Sequence, residues 1–155
     1  MMIFGGICME YDYEEYGNKQ KAVHEANKAH LANFKECLKN KGLAKKTINN
    51  HVFNVNFYIN DFLCYYDALD VQQGCYKISE FLGDWFIRKA MWSSCAHIKS
   101  IAAGVKKFYA LMLECGVVKQ EDYDELCETI KDEMPGWLNN MKRYEDEDMD
   151  EDYYF

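Results

Sequence analysis

Seven cysteines and four histidines are the side chains of this 155-residue chain best suited to holding a metal or attacking an electrophile. Their spacing argues against both. Cys8, Cys37, Cys64, Cys75, Cys95, Cys115 and Cys127 include no Cys-x-x-Cys pair. His24, His30, His51 and His97 form neither an i,i+4 pair nor a Cys/His cluster. The cysteines are expected as buried, reduced thiols. A Gly-rich phosphate loop, a Gly-x-Ser-x-Gly elbow and a His-Glu-x-x-His helix are all missing from the sequence. No enzymatic role, no metal and no cofactor is expected.

The remaining residues with chemical reach are lysines, and their placement is uneven. The net charge is −8. Residues 1–18 carry four carboxylates and no base, and residues 108–155 carry fifteen carboxylates against Lys119, Lys131, Lys142 and Arg143. Between them, residues 19–107 hold thirteen lysines and Arg88 against seven carboxylates, a net +7. A cationic stretch of this kind gains affinity for phosphates by releasing counterions, although a lysine-studded helix face is more often simply solvated. The run Glu145-Asp-Glu-Asp-Met-Asp-Glu-Asp152 is expected as a disordered, solubilising tail. A flexible tail of that charge would also compete with phosphates for the lysines.

The elements that must position these residues are helical. A single Pro, nine Gly and no alternating Val/Ile/Thr runs disfavour strands, and the length suits one domain with one core. An all-α bundle of five to six helices is expected, with an acidic Tyr-rich extension at 1–18, the domain at 19–143 and the acidic tail at 144–155. Val23, Leu31, Phe34 and Leu38 make a stripe from Lys19 to about Asn40, closed by Gly42. Ile48, Val52, Val55, Ile59 and Phe62 stripe a helix from about Lys45 to Tyr66, and Asp67–Gly74 reads as the longest loop. A third helix starts near Lys77 and frays near Trp92, with Ile78, Phe81, Leu82, Trp85 and Phe86 on it. Ser93-Ser94 caps a fourth, which buries Ile98, Ile101, Val105, Phe108 and Met112 and ends at Gly116. Gln120–Lys131 and a short segment after Pro135 complete the order. The N-terminal Met1–Met9 lacks the basic flank of a signal peptide, and no stretch has the length of apolar chain a membrane span needs, so a cytoplasmic protein is expected.

An ordered set of motifs points to a family. Phe34-x-x-x-Leu38 is followed by Gly42-Leu43, then Thr47-Ile48, then a short helix, then Phe108-Tyr109 leading to Gly116-Val117-Val118. Over residues 28–118 this resembles the core-binding (SAM-like) domain at the N-terminal end of tyrosine recombinases and phage integrases. The resemblance implies a four-helix core, double-stranded DNA as partner and a link to DNA recombination and integration. It also implies that the outward sides of two helices meet phosphates: Lys45, Lys46, Thr47, Asn49 and Asn50 on one, and Lys99, Lys106 and Lys107 on the other. Two features depart from the pattern: His51 stands where the family usually has Tyr, and Arg88 is the lone Arg of the matching region. Lysine supplies charge without the bidentate fork that reads guanine, so backbone contact rather than base readout is implied. The recombinase chemistry is missing, because two Arg cannot build the cationic cage that phosphoryl transfer requires. Tyr153 and Tyr154 follow seven acids in eight residues, where a phenol would resist ionisation and repel phosphate. The alternative is a protein-interaction or self-association module, suggested by tyrosines and tryptophans outside the helix stripes.

Overall fold

Two glycines in the left-handed region decide where the long helices stop. Gly42 has φ 80° and Gly116 φ 73°. In each case the chain closes with paired backbone bonds. Gly42 N–H donates to Lys39 O at 2.9 Å and Leu43 N–H to Leu38 O at 3.3 Å. Gly116 N–H donates to Leu113 O at 3.1 Å and Val117 N–H to Met112 O at 2.9 Å. This 6→1/5→2 pattern satisfies the last carbonyls, and a side chain at either position would be strained. The structure is a computed structural model that describes the backbone of residues 2–153 and the side chains of residues 13–147. The side chains of Cys8, Tyr11, Tyr153, Tyr154 and Phe155 lie outside the described residues.

The described chain is an all-α bundle. Helix α1 spans Met2–Asn40 and α2 spans Lys45–Asn56, continued by a π-helical turn over Phe57–Phe62. A 3-10 turn at Gln73–Tyr76 leads into α3 (Ile78–Glu80), a second π turn (Phe81–Trp85) and α4 (Phe86–Lys89), which form one continuous helical segment. Helix α5 spans Cys95–Glu114 and α6 spans Gln120–Tyr153. Helix α5 is the centre of the bundle, packed between α2 and α6, with α1 across α2 and α5.

The core follows the expected stripes. Phe34, Leu38, Ile48, Val55, Ile59, Phe81, Trp85, Ile101, Val105 and Phe108 are all buried in one cluster, while Val52 is half-buried against it. Val23 instead joins Cys64 and Ala68 in a small second cluster under Tyr16. Edge-to-face rings tie the centre together, as at Phe62–Phe81 (4.9 Å) and Phe34–Phe108 (5.4 Å). Two fully buried tyrosines hold the 67–76 loop: Tyr58 Oη donates to Gly74 O at 2.5 Å and Tyr109 Oη to Val71 O at 2.7 Å. Burial pushes both phenols well above their ordinary pKa, so they remain neutral donors. Gly74 must be glycine for a steric reason, since a Cβ there would overlap the Tyr109 hydroxyl and lie 2.7 Å from Leu63 Cδ1.

Several boundaries differ from those read off the sequence. Helix α1 begins at Met2 rather than Lys19. Gly17 and Asn18 do not end it, because an established helix propagates at little cost and Tyr16 Oη anchors this part to Cys64 O at 2.5 Å. The helix expected over 45–66 changes register at Phe57, where the π turn brings Tyr58, Ile59, Phe62 and Leu63 all to the core side. Such a turn frees a backbone carbonyl, and the buried Asn27 of α1 meets it, donating from Nδ2 to Ile59 O at 3.2 Å. The third segment ends at Lys89, short of Trp92. Pro135 does not divide α6. It is exposed, and the halves on either side are both held by buried side chains, Leu126 before it and Trp137 and Met141 after it. Packing of both flanks outweighs the roughly 3 kcal/mol that a proline costs inside a helix.

The acidic run from Glu145, expected as a disordered tail, continues α6 to Tyr153. Helices therefore cross both boundaries drawn from charge at 18/19 and 143/144. The cysteines also need one correction: the six described are free, but Cys115 is exposed and only Cys64 and Cys75 are fully buried. No helix of the described residues is long and apolar enough to cross a membrane.

Candidate nucleic-acid interface

The region that could meet an anionic polymer is built by α2 and α5. Neither helix carries a carboxylate before Glu114, and the acid-free runs are longer than the helices themselves. Residues 37–60 hold four lysines and no acid, and residues 85–113 hold Arg88 and four lysines and no acid. By contrast, residues 120–147 of α6 hold ten carboxylates against Lys131, Lys142 and Arg143. Because α5 separates α2 from α6, the protein presents a basic side and an acidic side. The resulting field would orient a phosphate polymer onto α2 and α5.

The two helices run antiparallel and approach closely at one point. A Cβ on Gly104 would sit 3.0 Å from His51 Nδ1 and 3.7 Å from His51 Cα, so glycine lets the α5 backbone press against α2. One turn further, Asn54 Nδ2 donates to Ser100 Oγ at 3.2 Å. These two pairs fix the register, with residue 51 against 104 and residue 54 against 100. They also set the N-terminal turn of α2 beside Lys107.

With 100° per residue, that register sorts the eight expected site residues. Thr47 lies on the α5 flank of α2, with Lys46 and Asn50 on its crest. Lys107 lies on the α2 flank of α5. By this register those four are the expected site residues nearest the seam. Lys45 and Asn49 fall on the far flank of α2, and Lys99 and Lys106 on the far flank of α5, so they form the outer rails of the same surface. All eight are exposed. Among the described residues the ion pairs are Lys19–Asp67, Lys77–Glu80 and Arg88–Asp84, so none of the five lysines is committed to a carboxylate.

The first turn of α2 is open as well. Its N-cap is Ala44, with no side-chain cap bond, and residues 44–47 are exposed. The N–H groups there lack a protein side-chain acceptor, unlike α5, where Ser94 Oγ accepts from His97 N–H at 3.1 Å as the sequence suggested. His51, the residue that departs from the family pattern, is a packing residue at the crossing. Burial first, and the charge of Lys107 second, hold its pKa below the ordinary imidazole value, and its buried Nδ1 has no partner.

Periodicity missed the groove between the two helices. A cavity of about 360 Å³ is lined by Asn50, Phe53, Asn54, Trp92, Ala96, His97 and Ser100. Phe53 is 56% exposed and its ring lies 5.7 Å from Trp92, which in turn lies 5.2 Å from His97. The available signal was Phe53 itself, an aromatic one residue off the Val52 stripe on an otherwise Lys/Asn/Thr face. The acid-free runs around it were the second. Comparison with protein-family models, with curated proteins and with solved structures finds no match to this chain.

Proposed function

We propose that this chain is a non-catalytic module that grips the backbone of double-stranded DNA, in the manner of the core-binding domains it resembles, and that it acts in the cytoplasm in DNA recombination or integration. The observation that carries the reading is the antiparallel α2–α5 pair, exposed, free of carboxylates before Glu114 and bearing five lysines with no ion pair among the described residues. Lys46, Thr47, Asn50 and Lys107 lie nearest the seam, and Lys45, Asn49, Lys99 and Lys106 form the rails. The uncapped amides of the α2 N-terminus add a place for a phosphate. Neither α2 nor α5 carries an arginine, and Arg88 on α4 is bidentate to Asp84 at 2.8 Å, so base-specific readout is not part of the proposal. The test is duplex retention as a function of salt. Binding that falls steeply from 50 to 200 mM salt supports the reading, and no binding at low salt ends it.

A protein-interaction role is favoured by a different part of the surface. Met91 is fully exposed, and Tyr66 is 73% exposed next to Tyr65 and Lys89. Aromatic and Met side chains are enriched at interfaces. Light scattering that shows a dimer lost on Met91→Lys would favour this reading, with a second copy or a recombinase subunit as the partner.

A further inference from the structure

We infer that the groove between α2 and α5 is a nucleobase pocket, in which Phe53 and Trp92 receive one unpaired base of a DNA strand lying on the lysine face. The inference rests on the DNA-binding reading above and adds a ligand and a site to it. Its starting point is a misplaced aromatic. Phe53 stands on the crest of α2, more exposed than buried, between Asn49, Asn50 and Asn56, where core packing does not require it. Its ring leans at 56° over Trp92, which is half-buried and braced from beneath by Phe57 (5.2 Å) and Phe86 (4.9 Å). The groove therefore carries two aromatic rings set at an angle, the exposed Phe53 and the braced Trp92, with an open approach.

The rest of the lining is polar in the way a base edge requires. Asn54 spends an Nδ2 hydrogen on Ser100, and its carbonyl oxygen takes no protein hydrogen bond among the described residues. Asn50, also in the lining, makes no protein hydrogen bond there, and each amide offers both a donor and an acceptor. His97 is held by its contact with Ser94 Oγ at 2.7 Å, which leaves its other ring nitrogen free. The cavity, about 360 Å³, falls in the range of small-ligand clefts, about 300–1,000 Å³. Lysines bracket it, with Lys46 one turn before Asn50, Lys99 beside Ser100 and Lys107 two turns beyond. An aliphatic or acidic ligand would use only part of this set. A base uses all of it: stacking on the exposed Phe53 ring with an edge against Trp92, hydrogen bonds to the amides, and phosphates on the lysines. A paired base cannot enter without leaving its stack, so the preferred substrate is a bulge or a single-stranded segment.

The test compares three labelled DNAs by fluorescence anisotropy: a paired duplex, the same duplex with one bulged thymidine, and a single-stranded oligothymidine. Wild type is expected to bind the bulged duplex about tenfold tighter than the paired one. Phe53→Ala should remove that preference while paired-duplex affinity stays within about twofold, and Phe53→Trp should restore it. A 2-aminopurine placed in the bulge should be quenched by wild type and not by Phe53→Ala. Lys46→Ala with Lys107→Ala should weaken both duplexes alike. Phe53 is exposed enough that its truncation leaves the fold standing, which a melting curve checks. Equal affinity for bulged and paired duplexes, or equal weakening of both by Phe53→Ala, overturns the pocket and leaves duplex binding intact. Phe53-dependent binding of oligothymidine without any duplex binding overturns the duplex reading and keeps the pocket. No binding to any of the three overturns both.

Discussion

Removing the lysine face tests the functional reading most directly, and its size can be worked from the placement of the side chains. Five exposed lysines, Lys45, Lys46, Lys99, Lys106 and Lys107, are free of ion pairs among the described residues, so each can engage a phosphate. About 0.9 counterions are released per phosphate neutralised on B-DNA, which gives a log–log salt slope of about −4.5 for all five. Raising salt from 50 to 200 mM should then weaken wild-type binding by about 500-fold. Replacing Lys45, Lys46, Lys106 and Lys107 together by Ala leaves one contact and a slope of about −0.9, so the same change in salt should cost only about three- to fourfold. Stability should change little, because all four side chains are exposed and unpaired, and surface substitutions of this kind stay within about 0.5 kcal/mol each. Fluorescence anisotropy across a salt series gives the slope, and urea unfolding gives the stability. An unchanged slope in the quadruple variant would refute the assignment of phosphate contacts to this face. A wild-type slope shallower than about −2 would show that the two helices do not engage the duplex together.

Three further outcomes follow from the same geometry. Gly104→Leu should destabilise the protein by about 1–3 kcal/mol in urea unfolding and weaken duplex binding, because the added side chain must separate α5 from His51; wild-type stability in the variant would mean the helices are not in contact there. His51 has a folded pKa below its ordinary value of 6.5, so the unfolded chain takes up a proton first as pH falls. Stability contributed by neutral His51 is present above pH 6.5 and declines as pH drops from there through the folded pKa; His51→Gln should flatten that slope between pH 7.5 and 5, and an equal slope in both proteins would exclude the residue. Glu145 lines a cleft with Arg88 and Lys89. Removing residues 145–155 is expected to tighten DNA binding at low salt, where the negative charge of α6 repels the duplex through the field of the whole protein, and to make little difference at high salt, where screening removes that repulsion, whereas equal low-salt affinity would leave the acidic end without effect on binding.

The sequence by itself determined the helical class, the apolar stripes and the two helix ends closed by Gly42 and Gly116. Period-3.6 burial and the φ > 0 demanded of Gly42 and Gly116 are local facts, and the buried cluster around Ile48, Val55, Ile101, Val105 and Phe108 follows from them. The lysines were legible too, since exposed polar residues are whatever the stripe leaves over. What the tertiary structure decided was relative placement. Only the antiparallel register, set by Gly104 against His51 and Asn54 against Ser100, shows that Lys46 and Lys107 lie nearest the seam while Lys45 and Lys106 lie on opposite rails. The π turns, the continuity of α6 through Pro135 and the Phe53–Trp92 groove were hidden for the same reason: each depends on contacts between residues far apart in the chain. A local pattern carries no record of which distant side chain will supply the missing hydrogen bond, brace a helix flank or close the far wall of a cavity.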